Sequence, residues 1–218
     1  MKKHHLLIET LIFFLIFSTR ILSAFLALYS SKDGSAPANL FVEWNFPWYH
    51  LISALFCLLL LFIYYEKTPV SGLIVYPVLI TYGMLFATSL FIKAFSLWIG
   101  SGETQIAVTK PADFLQWFFC VLTFLFGAFN EEVIYRFYLS DKLYQLLSIK
   151  FHRKFIRWFC EILALICFAI AHIYLGWLAV LNAALAHIFL RRCYLKSGRL
   201  WQPVLAHCIY NIVSIIIL

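Results

Sequence analysis

The sequence predicts an all-α fold: one membrane domain, a polytopic bundle of about seven transmembrane helices, with the N-terminus in the cytoplasm. Three observations predict it. Of the 218 residues, 64% are hydrophobic and only 12% charged, about half the charged share of an ordinary soluble domain. The apolar residues fall in runs of about 20, the length a helix needs to cross the hydrocarbon core. The basic residues gather between those runs, mostly on one side. A chain of this size cannot hide so much apolar surface from water, so a soluble globular domain is excluded, and so is a disordered one.

The expected spans, in order, are Leu6–Tyr29, Trp48–Tyr65, Leu73–Trp98, Phe114–Leu146, Arg157–Ile173, Trp177–Tyr194 and Trp201–Leu218. The first has a basic start, but the nearest A-x-A downstream, Ala36-Pro37-Ala38, lies too far beyond its apolar run for a cleaved signal peptide. It is read as a retained span. The fourth is too long for one straight crossing, and its later part, around Tyr144, is expected along the membrane surface. Residues 1–110 hold three spans without a readable motif, and residues 111–218 hold the motifs described below.

Seven spans from an inner N-terminus place Lys2, Lys3, Lys67, Lys142, Lys150, Arg153, Lys154, Arg157, Arg191, Arg192, Lys196 and Arg199 in the cytoplasm, and only Lys32 and Lys110 outside. That asymmetry fixes the orientation. It also gives the net charge of +7 a membrane meaning. The expected partner is membrane lipid, not nucleic acid. The six cysteines form no C-x-x-C pair and no metal-ligand spacing, so they read as small buried hydrophobes.

Ionisable residues inside spans are costly and mark candidate sites. Arg20 and Lys93 can snorkel to an interface, and His187 reads as a helix-to-helix hydrogen bond. One set resists such explanations. Asn130-Glu131-Glu132 and Arg136 lie in the fourth span, His172 late in the fifth, and His207 and Asn211 in the seventh. Glu132 and Arg136 are four residues apart and can pair on one helix face, as are His207 and Asn211. Glu131 points about 100° away from Glu132, so that pairing lets it point elsewhere. Such a collection is expensive if its only use is packing.

These motifs, E-E-x-x-x-R, F-x-x-x-H (Phe168 to His172) and H-x-x-x-N on successive helices, resemble the CPBP family of intramembrane proteases, which includes the type II CAAX prenyl proteases and bacteriocin-processing or self-immunity proteins. The stretch from Tyr194 to Pro203 is similar to the family's turn before the last motif. Phe137 stands where the family often has glycine, and His187 and Arg191 occupy a helix where small residues are common. The resemblance implies a peptidase of lipidated or membrane-associated substrates, resident in the inner or plasma membrane if the chain is prokaryotic. It implies Glu131 as general base, with His172 polarising the water. It implies His207 and Asn211 as donors to the tetrahedral oxygen, and Glu132 and Arg136 as their support. A zinc ion at Glu131, His172 and His207 is chemically acceptable, but H-E-x-x-H is absent and no cofactor is expected. The rival readings are a proton-coupled transporter, and a non-catalytic immunity or scaffold protein.

Overall fold

The computed structural model describes residues 44–64, 75–100, 109–148 and 152–217, with scattered helical positions between 11 and 22. Most of the first expected span, with Arg20, lies outside the described residues. Every regular element among the described residues is helical: α1 (Trp48–Tyr64), α2 (Tyr76–Trp98), α3 (Phe114–Glu131), a π-helical segment (Glu132–Lys142), α4 (Leu143–Leu147), α5 (Arg153–Ile170), a 3-10 turn (Ile173–Leu175), α6 (Trp177–Ser197) and α7 (Trp201–Ile217).

The helix ends follow from local chemistry. The Asp113 side chain caps α3 by accepting from the Gln116 amide at 2.8 Å, while the Gln116 side chain accepts from the Ala112 amide at 2.9 Å. Amides that have no partner inside the helix are thereby satisfied. Pro77 sits in the first turn of α2, where a missing N–H costs nothing. Gly198 closes α6 in the left-handed region, φ 65°, the usual glycine stop. Gly176, between the 3-10 turn and α6, has φ 96° and ψ 170°, a region open essentially to glycine. Gly176→Ala is expected to lower stability by about 1–3 kcal/mol, read as a fall in the thermal midpoint of the detergent-solubilised protein.

Among the described residues, three stretches are long and apolar enough to cross a membrane: Tyr76–Trp98, Phe114–Leu147 and Trp177–Ser197; Trp48–Phe62 and Trp201–Ile217 are shorter apolar helices. The expected fourth span is therefore one continuous 34-residue helix. The π segment lies in its second half, directly before the turn of helix that holds Tyr144. The expected fifth span starts earlier than the sequence predicts, at Arg153. Its first half carries Arg153, Lys154, Arg157 and Glu161, which leaves only the second half fully apolar. Its helix also stops earlier, at Ile170, so His172 lies beyond the helix end rather than within it.

Large apolar side chains face outward. Trp98, Phe114 and Trp177, each at a helix end, are 81%, 87% and 72% exposed. A surface of this kind is stable against hydrocarbon and headgroups, not against water. Inside, Cys57 and Leu60 of α1, Val133 to Leu139 of the π segment, Ala164 and Phe168 of α5 and Ala183 of α6 form the main core cluster. A second cluster joins Val78 and Leu85 of α2 to Leu190 of α6 and Ala206 of α7. The cysteines are unpaired and five of the six are buried, as expected of small hydrophobes.

The bundle is staggered. Lys110 Nζ donates to the Ile216 carbonyl at 3.0 Å, and α3 runs antiparallel to α7 from there. At an α-helical rise of 1.5 Å per residue, Phe168 stands about 22 Å from the start of α5, whereas His207 stands about 9 Å from the start of α7. Their rings nevertheless meet, 6.2 Å apart. The starts of α5 and α7 therefore lie at different levels. This offset brings the motif residues, distributed unevenly along their spans in the sequence, to one level.

Candidate active site

The site is built where the π segment, α5, α6 and α7 converge. Glu131 is the last residue of α3, and Glu132 and Arg136 open the π segment. Wide i→i+5 turns are rare and occur mostly at functional positions. Within this one, Glu132 and Arg136 still approach: Arg136 Nε lies 3.1 Å from Glu132 Oε2, and both side chains are 0% exposed. The approach lacks the alignment of a hydrogen bond, and Arg136 Nη1 and Nη2 have no hydrogen-bond partner among the described residues. What the guanidinium has instead is the Phe168 ring, 4.1 Å from its centre, a cation–π contact that strengthens when water is excluded.

The carboxylate of Glu132 does a second thing. Its Oε1 lies 2.9 Å from His207 Nδ1. A carboxylate oxygen only accepts, so Nδ1 carries the proton and the ring is fixed in orientation. The other face of that ring turns to Glu131: His207 Nε2 is 3.8 Å from Glu131 Oε2. The order Arg136, Glu132, His207, Glu131 thus forms one connected run of ionisable groups. The two adjacent carboxylates are not equivalent, since the Glu131 side chain is 17% exposed and that of Glu132 is 0% exposed. Glu131 is the one a water molecule can reach.

His172 reaches the same place by a break in its helix. Its amide donates to the Ala169 carbonyl at 3.0 Å, a 3-10 pattern. The Phe168 carbonyl, which the next α-helical turn would have used, instead lies 2.8 Å from His172 Nδ1. A carbonyl accepts, so Nδ1 donates and Nε2 is left as the accepting nitrogen. The ring stacks 4.9 Å from Phe168 and lies within electrostatic range of Glu131, His207 and Arg136.

Phe168 is the hub. Its ring, 1% exposed, touches Tyr135, Arg136, His172, His187 and His207. The motif position that reads as an apolar helix residue is the wedge against which the charged groups are set. Of the six sequence-derived candidates, five are held in this one assembly. Asn211 lies one turn beyond His207 on α7, half-buried and without a hydrogen bond among the described residues.

Other features were less visible. His187 is packed on Phe168 at 5.7 Å, with its buried Nδ1 unbonded, in place of the expected helix-to-helix hydrogen bond. The Asn130 side-chain amide donates to the His50 carbonyl at 3.2 Å, which ties α1 to the end of α3. Arg191, which the sequence groups with the cytoplasmic charges, is 5% exposed and bonded to Asp141 and Glu161. The sequence signal for it is the i,i+4 spacing of His187 and Arg191, which puts both on one side of α6. Among the described residues no three His, Cys, Asp or Glu side chains group as metal ligands.

In a comparison with protein families, the sequence of residues 113–213 fits the family model described as type II CAAX prenyl endopeptidase Rce1-like. This part of the chain is similar to the CAAX-protease family. The match begins at the cap of α3 and ends two residues past Asn211, so it contains every candidate residue and leaves the first three expected spans outside. No curated protein and no solved structure matches the chain. The Rce1-like family supports a peptidase activity in a membrane protein, and the apolar helices fit the same description.

Proposed function

We propose that the chain is a multi-pass intramembrane endopeptidase that hydrolyses a peptide bond of a lipidated or membrane-associated protein with a glutamate-activated water. The observation that carries this reading is the placement of His207 between two carboxylates, one buried and paired, the other open to water.

Amide hydrolysis needs a base for the water, a stabiliser for the oxyanion and a proton for the leaving amine. Glu131 takes a proton from water as its oxygen bonds to the scissile carbonyl carbon. His172 Nε2 accepts from the same water and orients it. The negative charge passes to the carbonyl oxygen, where Asn211 and the protonated form of His207, through Nε2–H, are the donors. Collapse of the tetrahedral intermediate breaks the C–N bond, and the proton held by Glu131 passes to the amine nitrogen. Glu132 fixes the His207 ring, and Arg136 balances the charge of Glu132. The reading gives a metal ion no role, so activity is expected to survive exhaustive chelation.

The test is a peptidase assay in proteoliposomes with prenylated and unprenylated peptides, read by mass spectrometry. Cleavage of the prenylated peptide is expected, with activity lowered by about 10²–10⁴-fold in His172→Ala, the range of a lost acid–base or water-positioning group. An unaltered rate in that variant would refute the role of His172. Ion flux without cleavage would replace the whole reading.

A further inference from the structure

We infer that Arg191 is a positioning residue: it staples the π segment open and so sets the direction of Glu131 and Glu132. The register part of this inference stands on geometry alone. Its consequence for turnover rests on the peptidase reading above.

Three facts carry it. First, the π segment is eleven residues long, whereas such turns normally occur singly, so something outside the helix must maintain this one. Second, Arg191 of α6 spans a single wide turn from outside. Its Nη1 donates to the Arg136 carbonyl at 2.9 Å and its Nη2 to Asp141 Oδ1 at 2.7 Å. Residues 136 and 141 are five apart, the i and i+5 of a π turn, and one planar guanidinium bridges them. A second side chain repeats that spacing one residue earlier, where Ser140 Oγ donates to the Tyr135 carbonyl at 2.9 Å. Third, the staple is anchored. Arg191 Nε and Nη2 both bond Glu161 of α5, at 2.9 and 2.6 Å. Arg157 of the same helix completes a set of two cations and two carboxylates through a 3.0 Å contact with Asp141.

The consequence lies next door. The wide turns begin at Glu132, directly after Glu131. Relaxation of a π turn to α geometry takes up one residue, and each residue is worth about 100° of rotation. Released from Arg191, the segment would carry the Glu131–Glu132 pair away from His207. Arg136 would leave Phe168 with it. Arg191 touches none of the reacting groups and acts entirely through the backbone of residue 136 and the carboxylate of residue 141.

Lysine keeps the charge but not the planar fork that serves three partners at once. Arg191→Lys is therefore expected to raise hydrogen–deuterium exchange across residues 132–142 at least tenfold, with α7 unchanged. In the proteoliposome assay it is expected to lower kcat at least tenfold with KM within twofold. Asp141→Asn, which leaves Arg191 in place and removes one end of the staple, is expected to show the same pattern more weakly. It serves as the second variant if the lysine protein does not fold. Unchanged exchange across 132–142 in both variants overturns the inference. Raised exchange with an unchanged kcat overturns the positioning role. A wild-type protein that cleaves no peptide ends the peptidase reading, while the exchange data still decide what Arg191 does.

Discussion

Glu131→Gln is expected to abolish peptide cleavage, by about 10³–10⁴-fold or to the detection limit, the upper range for loss of a general base, while the protein inserts and melts like the wild type. The reason is the inequality of the two carboxylates. Glu131 is partly open, and its contact with His207 Nε2 is long, 3.8 Å. A glutamine there costs little in packing and removes only the group that can take a proton from water. The check pairs mass-spectrometric assay of a cleaved peptide with a thermal melt of the same preparation. Wild-type turnover by the glutamine protein would sink the assignment, whatever its stability.

Arg136→Met is expected to act in the opposite way, through stability. It would leave Glu132 ionised, 0% exposed and without its cation. Breaking a buried pair from one side costs about 3–5 kcal/mol. Here the lower end applies, because the His207 Nδ1–H bond to Glu132 remains. Adding Glu132→Gln removes the orphaned charge and is expected to restore most of the lost stability, since a buried pair replaced as a whole is often neutral. Urea melts of the single and double variants in mild detergent decide it. Equal melts for Arg136→Met and the wild type would mean that Glu132 does not carry its charge in this setting.

How much of this was legible beforehand differs by residue. The pairing of Glu132 with Arg136 was read from their i,i+4 spacing, and it survives inside a π segment. The same helical arithmetic set Glu131 apart from Glu132, although both carboxylates reach the His207 ring. The helical character and the apolar spans Trp48–Tyr65, Leu73–Trp98 and Trp177–Tyr194 were close to the observed helices, since long apolar runs leave little choice. The π segment was not legible. Its eleven residues contain no glycine or proline, and its defining contacts come from Arg191 on another helix, far away in sequence. The position of His172 was misread for a related reason. The apolar run Phe168–Ile173 continues past the helix end, and only the 3-10 bond of the His172 amide shows the break. The stagger of α5 against α7, which lets the Phe168 and His207 rings meet, was not legible either, since it depends on contacts between helices.

On the proposed peptidase reading, the continuous helix Phe114–Leu147 sets a reach for any substrate. Glu131 stands sixteen residues before its end, at most about 24 Å, since the π segment rises less per residue than an α-helix. An extended peptide covers at most about 3.3–3.6 Å per residue, so a client docked level with Leu147 would need up to about seven residues of extended chain for its scissile bond to reach the carboxylate. On that reading, length of free tail selects clients independently of their sequence.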